Sequence, residues 1–186
     1  TFTDAGSLTN GSLYVYRVSA VNAFGTGVSS IPVIGIPAAR AAAPTNVTTY
    51  AGAEQVVLTW TAPSSTGGAP ITGYQIESSF DDGVTWSIAI ADTTSPSSYG
   101  VVSGLQPGQL YSFRVSAITA GGTGAVSVAV TGTPLVAAPI TIEGSAGDTT
   151  ATLNWATPVG VVNVTGYRVE RSTNMTTWSM VGSTLA

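Results

Sequence analysis

The sequence contains no histidine, no cysteine and no lysine. Without His or Cys, the chain cannot build the usual zinc sites or the Ser-His-Asp and Cys-His arrangements of nucleophilic catalysis. Without Lys, Schiff-base chemistry and Lys-to-Asn crosslinks are excluded as well. Only Asp, Glu, Tyr and Arg remain for acid–base work. We therefore expect a protein that is not an enzyme, with no catalytic residues, no metal site and no cofactor.

Positive charge and long apolar runs are also scarce. Five Arg stand against nine acidic residues, which argues against nucleic acid as a partner because that partner needs a basic face. No apolar run reaches the roughly 18 residues of a membrane span, so we expect no membrane insertion. The first residues, TFTDAGSLTN, lack the basic start and apolar stretch of a secretion signal. The absence of cysteine leaves the redox compartment open.

Three pairs of similar stretches recur along the chain, at spacings of 93 to 97 residues. They are LYVYRVSA (13–20) with LYSFRVSA (110–117), VVLTWTAP (56–63) with ATLNWATP (151–158), and ITGYQIE (71–77) with VTGYRVE (164–170). A changing period is typical of loops of unequal length between fixed strands. The spacing indicates tandem domains of about 95 residues, a period too long for a solenoid unit.

Apolar and polar residues alternate within the repeated stretches, which is the pattern of strands with one buried face. Turn signals rich in Gly, Pro, Asp and Ser separate these strands. The central repeat is predicted to hold seven strands, at 45–51, 54–61, 72–79, 84–91, 97–103, 109–119 and 124–132. We expect its core to contain Val56, Leu58, Trp60, Tyr74, Ile76, Leu105, Tyr111, Phe113 and Val115. Seven short strands without a Cys pair favour an immunoglobulin-like antiparallel β-sandwich, and an all-β fold.

The residues of the central repeat resemble tandem fibronectin type III domains. Trp60 lies in the second strand, GYQIE (73–77) in the third, and Leu105 precedes Tyr111 by six residues as in the tyrosine corner of that family. The first repeat keeps this spacing but has Asn10 where the central repeat has Pro107. The stretch DDGVTW resembles bacterial and phage members more than animal ones. The resemblance implies a tandem array of seven-stranded sandwiches.

The resemblance also implies domain boundaries. Residues 1–38 correspond to the C-terminal half of one fibronectin type III domain, residues 40–134 to a complete domain, and residues 138–186 to the N-terminal half of another. We call these parts the first segment, the central domain and the last segment. Short linkers bounded by Pro join them, and such linkers are semi-stiff.

The four Trp residues fall into two classes. Trp60 and Trp155 lie on the apolar face of a strand, so we expect them in the core. Trp86 and Trp178 follow a turn in their respective repeats and are candidates for exposed contacts with a sugar ring or a neighbouring domain. The alternative for this second pair is partial burial against a sheet edge.

Charged side chains suggest three arrangements. Asp81 and Asp82 precede Gly83, but we interpret them as a turn rather than a calcium site, because two carboxylates fall short of the six to eight oxygen ligands that calcium takes. Arg114 is expected to form a surface ion pair with Glu77. If residues 1–38 of one copy complete residues 138–186 of the next, Arg17 would lie beside Glu170 in the same way.

Four of the six Asn residues begin an Asn-X-Ser/Thr triplet: Asn10, Asn46, Asn163 and Asn174. About one or two such triplets are expected by chance in a chain this rich in Ser and Thr, and the triplet marks only an acceptor. These four residues are candidate glycosylation sites. Extra mass on the intact protein would confirm them.

The leading functional hypothesis is a structural spacer or fibre-forming segment of a long repetitive protein, located outside the cell, on a cell surface or on a phage or virion surface. Its partners would be neighbouring copies or repeats of the same chain. One alternative is an adhesion module that binds carbohydrate or a receptor through the loops at one end of the sandwich or through Trp86. Another is the accessory region of a larger carbohydrate-active enzyme. Fold alone does not decide among them.

Overall fold

The computed structural model describes residues 1–158 and 164–185, and the regular elements in those ranges are strands, with no helix. The first segment contains β1 (Tyr14–Tyr16), β2 (Ser19–Asn22), β3 (Gly25–Ser29) and β4 (Val33–Gly35). The central domain contains β5 (Thr45–Gly52), β6 (Gln55–Thr61), β7 (Ile71–Ser79), β8 (Ser87–Ile90), β9 (Tyr99–Ser103), β10 (Tyr111–Thr119), β11 (Gly122–Val126) and β12 (Val130–Gly132). The last segment contains β13 (Ile140–Ala146), β14 (Ala151–Ala156), β15 (Gly166–Arg171) and β16 (Ser179–Leu185). The predicted all-β fold is confirmed.

The central domain is a sandwich of two antiparallel sheets. One sheet has the order β5-β6-β9, and the other has the order β11-β10-β7-β8, with β12 also paired to β10. The predicted immunoglobulin-like sandwich is therefore confirmed. Its strands agree with the predicted ones to within three residues at most ends, because the alternation of apolar and polar residues fixes which part of the chain can bury one face.

The core of the central domain lies between the two sheets. Of the nine predicted core residues, seven are buried, and Leu105 and Tyr111 are partly buried at its margin. Trp60 and Tyr74 form the centre, with ring centroids 4.8 Å apart in an edge-to-face arrangement. Tyr111 stays partly exposed because its hydroxyl reaches the surface, where it accepts a hydrogen bond from the backbone N–H of Gln106 (3.1 Å).

The last predicted strand of the central domain, 124–132, is divided in the structure. Ser127 interrupts it, and the buried Ser127 Oγ accepts a hydrogen bond from the N–H of Val115 (3.0 Å) and donates one to the carbonyl of Val128 (2.9 Å). The first segment has the same interruption, where Ser30 Oγ accepts from the N–H of Val18 (3.1 Å). A serine hydroxyl replaces a ladder hydrogen bond here, so the strand bends without leaving a buried N–H unpaired.

The first and last segments each form two small sheets. In the first segment β1 pairs with β4 and β2 with β3, and in the last segment β13 pairs with β14 and β15 with β16. Their apolar faces are open. Val18 is 73% exposed, whereas Val115, which occupies the matching position 97 residues later, is fully buried. The assignment of these segments as half domains stays a prediction.

Candidate functional site

The outer face of the larger central sheet carries three stacked side chains, Glu77, Arg114 and Trp86, which we call the Glu–Arg–Trp stack. Glu77 on β7 lies opposite Arg114 on β10. The guanidinium donates two hydrogen bonds to the carboxylate, Nε to Oε2 at 2.8 Å and Nη2 to Oε1 at 3.1 Å. The same guanidinium carbon lies 4.2 Å from the centroid of the Trp86 ring. The predicted ion pair is confirmed, and the aromatic ring extends it.

Trp86 is half-buried in this stack. Its indole N–H donates to the carbonyl of Gly83 (2.9 Å), and Arg114 covers one face of its ring. Arg114 thus occupies one face of the Trp86 ring, and the role of Trp86 as an exposed contact stays a prediction. Trp178 in the last segment is different, because 58% of it is exposed.

The turn before Trp86 is organised by the carboxylate of Asp81. Its Oδ1 accepts hydrogen bonds from the Ser79 hydroxyl (2.6 Å) and the N–H of Thr85 (2.9 Å), and its Oδ2 accepts one from the Thr85 hydroxyl (2.6 Å). These hydrogen bonds favour the charged form of the carboxyl group and lower the pKa of Asp81 to about 2, and the bond from Ser79 has the largest effect. Both carboxylate oxygens are thus occupied by the turn itself.

The last segment builds the same turn without a carboxylate. Asn174 Oδ1 accepts hydrogen bonds from the N–H groups of Thr176 and Thr177, each at 2.9 Å, and from the Thr177 hydroxyl (3.0 Å). The neutral amide of Asn174 therefore accepts turn hydrogen bonds like those that the Asp81 carboxylate accepts in the central domain. This substitution favours the turn interpretation of the acidic pair over the calcium interpretation. Within residues 1–158 and 164–185, no group of three or more His, Cys, Asp or Glu side chains is placed to hold a metal ion.

The incoming linker of the central domain is bound to the loop between β6 and β7. The N–H of Ala39 donates to the carbonyl of Gly67, and the N–H of Ala42 donates to the carbonyl of Ser65, each at 2.9 Å. Gly67 can approach this closely only because it has no side chain. A Cβ atom built on Gly67 would lie 2.1 Å from the carbonyl oxygen of Ala39.

The opposite side of this linker is held by the hairpin between β10 and β11. The N–H of Ala125 donates to the carbonyl of Ala41 (3.0 Å), and Ala41 itself is buried. A Cβ atom on Gly121 would lie 2.1 Å from the carbonyl oxygen of Ala39, and one on Gly124 would lie 2.6 Å from that of Ala41. The linker is therefore clamped by backbone atoms on both sides.

The first segment touches the central domain beside this clamp. The turn that contains Gly11 is hydrogen-bonded to the linker, because the N–H of Gly11 donates to the carbonyl of Pro37 (2.8 Å). The same turn packs on Gly68, where an added Cβ would lie 2.5 Å from the backbone nitrogen of Gly11. We call this arrangement of the linker, the Gly11 turn and the glycines at 67, 68, 121 and 124 the glycine joint.

The outgoing linker of the central domain is held at the opposite end of the sandwich. The N–H of Leu135 donates to the carbonyl of Gly52 (2.8 Å), and the carbonyl of Leu135 accepts from the N–H of Glu54 (2.9 Å). Next to it, the N–H of Gly108 donates to the carbonyl of Pro134 (2.9 Å). This last contact matches that between Gly11 and Pro37, with each residue 97 positions further along.

The candidate glycosylation sites lie at different kinds of position. Asn10, Asn46 and Asn174 are exposed, while Asn163 lies outside the described residues. The amide of Asn46 donates to the Thr61 hydroxyl (3.3 Å), and the Asn174 side chain is engaged in its turn. Glycosylation at these residues stays a prediction.

The glycines of the joint were not singled out from the sequence. The stretch SSTGGAP (64–70) signals a turn, but nothing in it says that the backbone of another segment approaches. One signal was present at Gly121, because the matching residue 97 positions earlier is Phe24. Phe24 is fully exposed, so the matching hairpin of the first segment accommodates a large side chain at this position.

Comparison with known families and proteins agrees with the sandwich. Residues 42–133 match the family model described as "Fibronectin type III domain". The chain is 35% identical to human Myomesin-2 over 146 residues, which are 75% of this chain and 10% of that protein. It is 29% identical over 167 residues to mouse Myosin-binding protein C, fast-type, covering 83% of this chain and 14% of that protein. With rat Neogenin it shares 35% identity over 118 residues, which are 60% of this chain and 8% of Neogenin.

The chain thus spans about a tenth of the length of these relatives. All three are animal proteins, so they give no support to the predicted bacterial or phage-like subgroup. Among solved structures, one of titin domains is similar with a TM-score of 0.53 and 27% identity, covering 64% of this chain and 40% of that one. A structure of chicken CNTN1 domains, with a TM-score of 0.51 and 20% identity over 69% of this chain and 44% of that one, supports the fold alone. No described helix is long and apolar enough to cross a membrane.

Proposed function

Because residues 42–133 are a fibronectin type III domain, we propose that this chain is a structural spacer in a repetitive protein outside the cell or on its surface. In this role it holds neighbouring domains at a fixed distance and orientation and catalyses no reaction. The glycine joint is the observation that carries the proposal. A spacer needs stiff connections between its domains, and this connection is made from backbone contacts with little freedom to move.

The joint also occupies the loops that a binding module would use. The loop at 62–70 and the hairpin after β10 lie at one end of the sandwich, where loops are free to contact ligands in many sandwich proteins. Here both loops hold the incoming linker. Three backbone hydrogen bonds contribute to the contact, each worth about 0.5–1.5 kcal/mol. A ligand at this end would have to displace them.

Close backbone packing makes the joint stiff. Side chains at an interface can change rotamer. A backbone carbonyl oxygen packed against a glycine can move only if the backbone conformation changes. A flexible linker of Gly and Ser would behave as a random coil. The linker here, PAARAAAP (37–44), is bounded by Pro and clamped on two sides, so the first segment and the central domain are expected to move as one body.

A distance measurement between the first segment and the central domain tests the proposal. The chain has no Cys, so spin labels can be attached to Val28→Cys and Val84→Cys, whose native side chains are 96% and 81% exposed. We expect a narrow distance distribution. Gly121→Ala should broaden it, because the new methyl group collides with the linker. A matched control is Gly182→Ala, since nothing lies within 4 Å of a Cβ at that position.

Two results would contradict a spacer of fixed geometry. One is a broad distribution in the unmodified chain, and the other is a distribution that Gly121→Ala leaves unchanged.

A further inference from the structure

The smaller sheet of the central domain turns one side to the core and the other side outwards. Val56, Leu58 and Trp60 of β6 are buried, so the residues between them point outwards. The registers of β5, β6 and β9 place the outward residues in neighbouring rows across the three strands. One row is Tyr50, Val57 and Val101, and the next row is Thr48, Thr59 and Tyr99. We call these six residues the outer tyrosine face.

The two tyrosine rings of this face are open to solvent. Tyr50 is 60% exposed and Tyr99 is 52% exposed. The rows cross the middle of β6, between the two ends of the sandwich at which the linkers are attached. All six residues lie within 42–133, the part of the chain that matches the family model. The outer tyrosine face is therefore built by the central domain alone.

The chemistry of the outer tyrosine face is neutral. None of its six residues is charged, whereas the outer face of the larger sheet carries the Glu–Arg–Trp stack. The hydroxyl groups of Thr48 and Thr59 are joined by a hydrogen bond of 2.8 Å. This bond uses only one of their two hydroxyl hydrogens and leaves further lone pairs. The face thus offers groups that both donate and accept hydrogen bonds, next to two exposed aromatic rings.

The dimensions of the face favour a narrow ligand over a protein. Strand β9 has five residues, and three strands of that length outline about 240 Å². A protein interface of standard size buries about 800 Å² on each partner. Tyr50 and Tyr99 lie two strands and one row apart, so their Cα atoms are separated by about 12 Å. One sugar ring does not reach both tyrosines, but a chain of several linked rings does.

We propose that the outer tyrosine face binds a neutral, β-linked sugar chain. The rings of β-linked glucose and N-acetylglucosamine carry their polar substituents around the edge and C–H groups on both faces. Those C–H groups pack on the electron-rich faces of Tyr50 and Tyr99, and the edge hydroxyl groups exchange hydrogen bonds with Thr48 and Thr59. An acidic sugar chain finds no cation on this face, in a protein whose net charge is −4.

A titration of the full 186-residue chain, followed through its amide NMR signals, tests the proposal. The probes are cellohexaose and chitohexaose, which are neutral and β-linked. Glucose and the hexamer of mannuronic acid serve as comparisons, since the first spans only one ring and the second is β-linked but acidic. We expect at least one neutral hexamer to shift the amides of β5, β6 and β9 and to leave those of β7 and β10 in place. Glucose and the acidic hexamer should cause no such shifts.

Variants of the two tyrosines assign the contact. Tyr50→Ala and Tyr99→Ala should each weaken binding about tenfold, because each removes one stacked ring. The two residues are more than about 7–10 Å apart, so the effects should combine to about a hundredfold in the double variant. Tyr50→Phe and Tyr99→Phe keep the rings and should bind like the unmodified chain. Phe80→Ala is the matched control, since Phe80 is an aromatic residue of the same domain, 69% exposed, that follows β7 of the other sheet.

Four results would overturn the proposal. They are a failure of both neutral hexamers to bind, shifts that lie outside β5, β6 and β9, alanine variants that bind like the unmodified chain, and Phe80→Ala weakening the binding equally. Shifts of the same amides with protein concentration, in the absence of sugar, would assign the face to a second copy instead. The glycine joint lies at one end of the sandwich and takes no part in this contact, so the spacer proposal can fail or stand separately.

Discussion

The hydroxyl of Tyr74 is enclosed in the core of the central domain and has no hydrogen-bond partner among the described residues. Its counterpart in the last segment, Tyr167, donates to the hydroxyl of Thr157 at 2.9 Å. The residue that matches Thr157 in the central domain, 95 positions earlier, is Ala62. The two repeats therefore share an edge-to-face Trp–Tyr pair, but only in the last segment does the tyrosine hydroxyl have a hydrogen-bond partner. Tyr74→Phe and Ala62→Thr remove the defect in two different ways.

The size of both effects follows from the burial of this hydroxyl. A buried polar group without a partner costs about 1–3 kcal/mol. Removing the oxygen in Tyr74→Phe leaves the ring and its contacts unchanged, so we expect the domain to become more stable by about 1 kcal/mol. In a domain of 60–100 residues, this is a rise of about 4–8 °C in melting temperature. Ala62→Thr should stabilise by a similar amount where Tyr74 is present, and by nothing in the Tyr74→Phe background.

Native-state hydrogen exchange is the appropriate assay, because the chain contains several structural units. The slowest amides of β7 and β10 report the opening free energy of the central domain alone. Tyr167→Phe, followed at the amides of β15, is the matched control, since it removes a hydroxyl that is paired. A loss of stability in Tyr74→Phe would refute the reasoning. So would a gain from Ala62→Thr that persists after Tyr74 has been replaced.

Two further predictions concern the core and the acidic turn. Trp60→Ala should cost the central domain roughly 3–5 kcal/mol, and an unchanged melting temperature would show that Trp60 does not hold the core together. The folded pKa of Asp81, about 2, lies below its ordinary value of 3.8, so its contribution to stability is complete above 3.8 and is lost as the pH falls towards 2. Asp81→Asn should remove this pH dependence and keep the turn, as Asn174 does in the last segment. Denaturation curves between pH 2 and 5 measure the effect, and a variant whose stability still falls over this range would contradict the prediction.

The sandwich and its core could be predicted because alternation is a local property. Val56, Leu58 and Trp60 face the same side of a strand whatever the rest of the chain does, and a strand with one apolar side must bury it. The tyrosine corner could also be predicted from the sequence. Asn10 replaces Pro107, but both turns keep a glycine with positive φ at the next position, 81° and 77°. In both, the tyrosine hydroxyl accepts a backbone hydrogen bond.

The remaining features depend on approaches between distant parts of the chain. The sequence leaves Trp86 open between an exposed contact and partial burial against a sheet edge, and it does not show that Arg114 lies over its ring. The break at Ser127 was missed because Ser is compatible with either face of a strand. The sequence places Gly67 and Gly121 in turns, and their contact with the linker becomes visible only in the structure.

The attachment of Leu135 has a mechanical consequence. Two hydrogen bonds tie the outgoing chain to the turn at 52–54, where it runs parallel to Ala53. A pulling force applied along the chain would load these bonds before it loads the strands of the sandwich. Their rupture would release the few residues that follow β12, at about 3.3–3.6 Å for each residue. The central domain would therefore lengthen slightly under tension before its core is exposed.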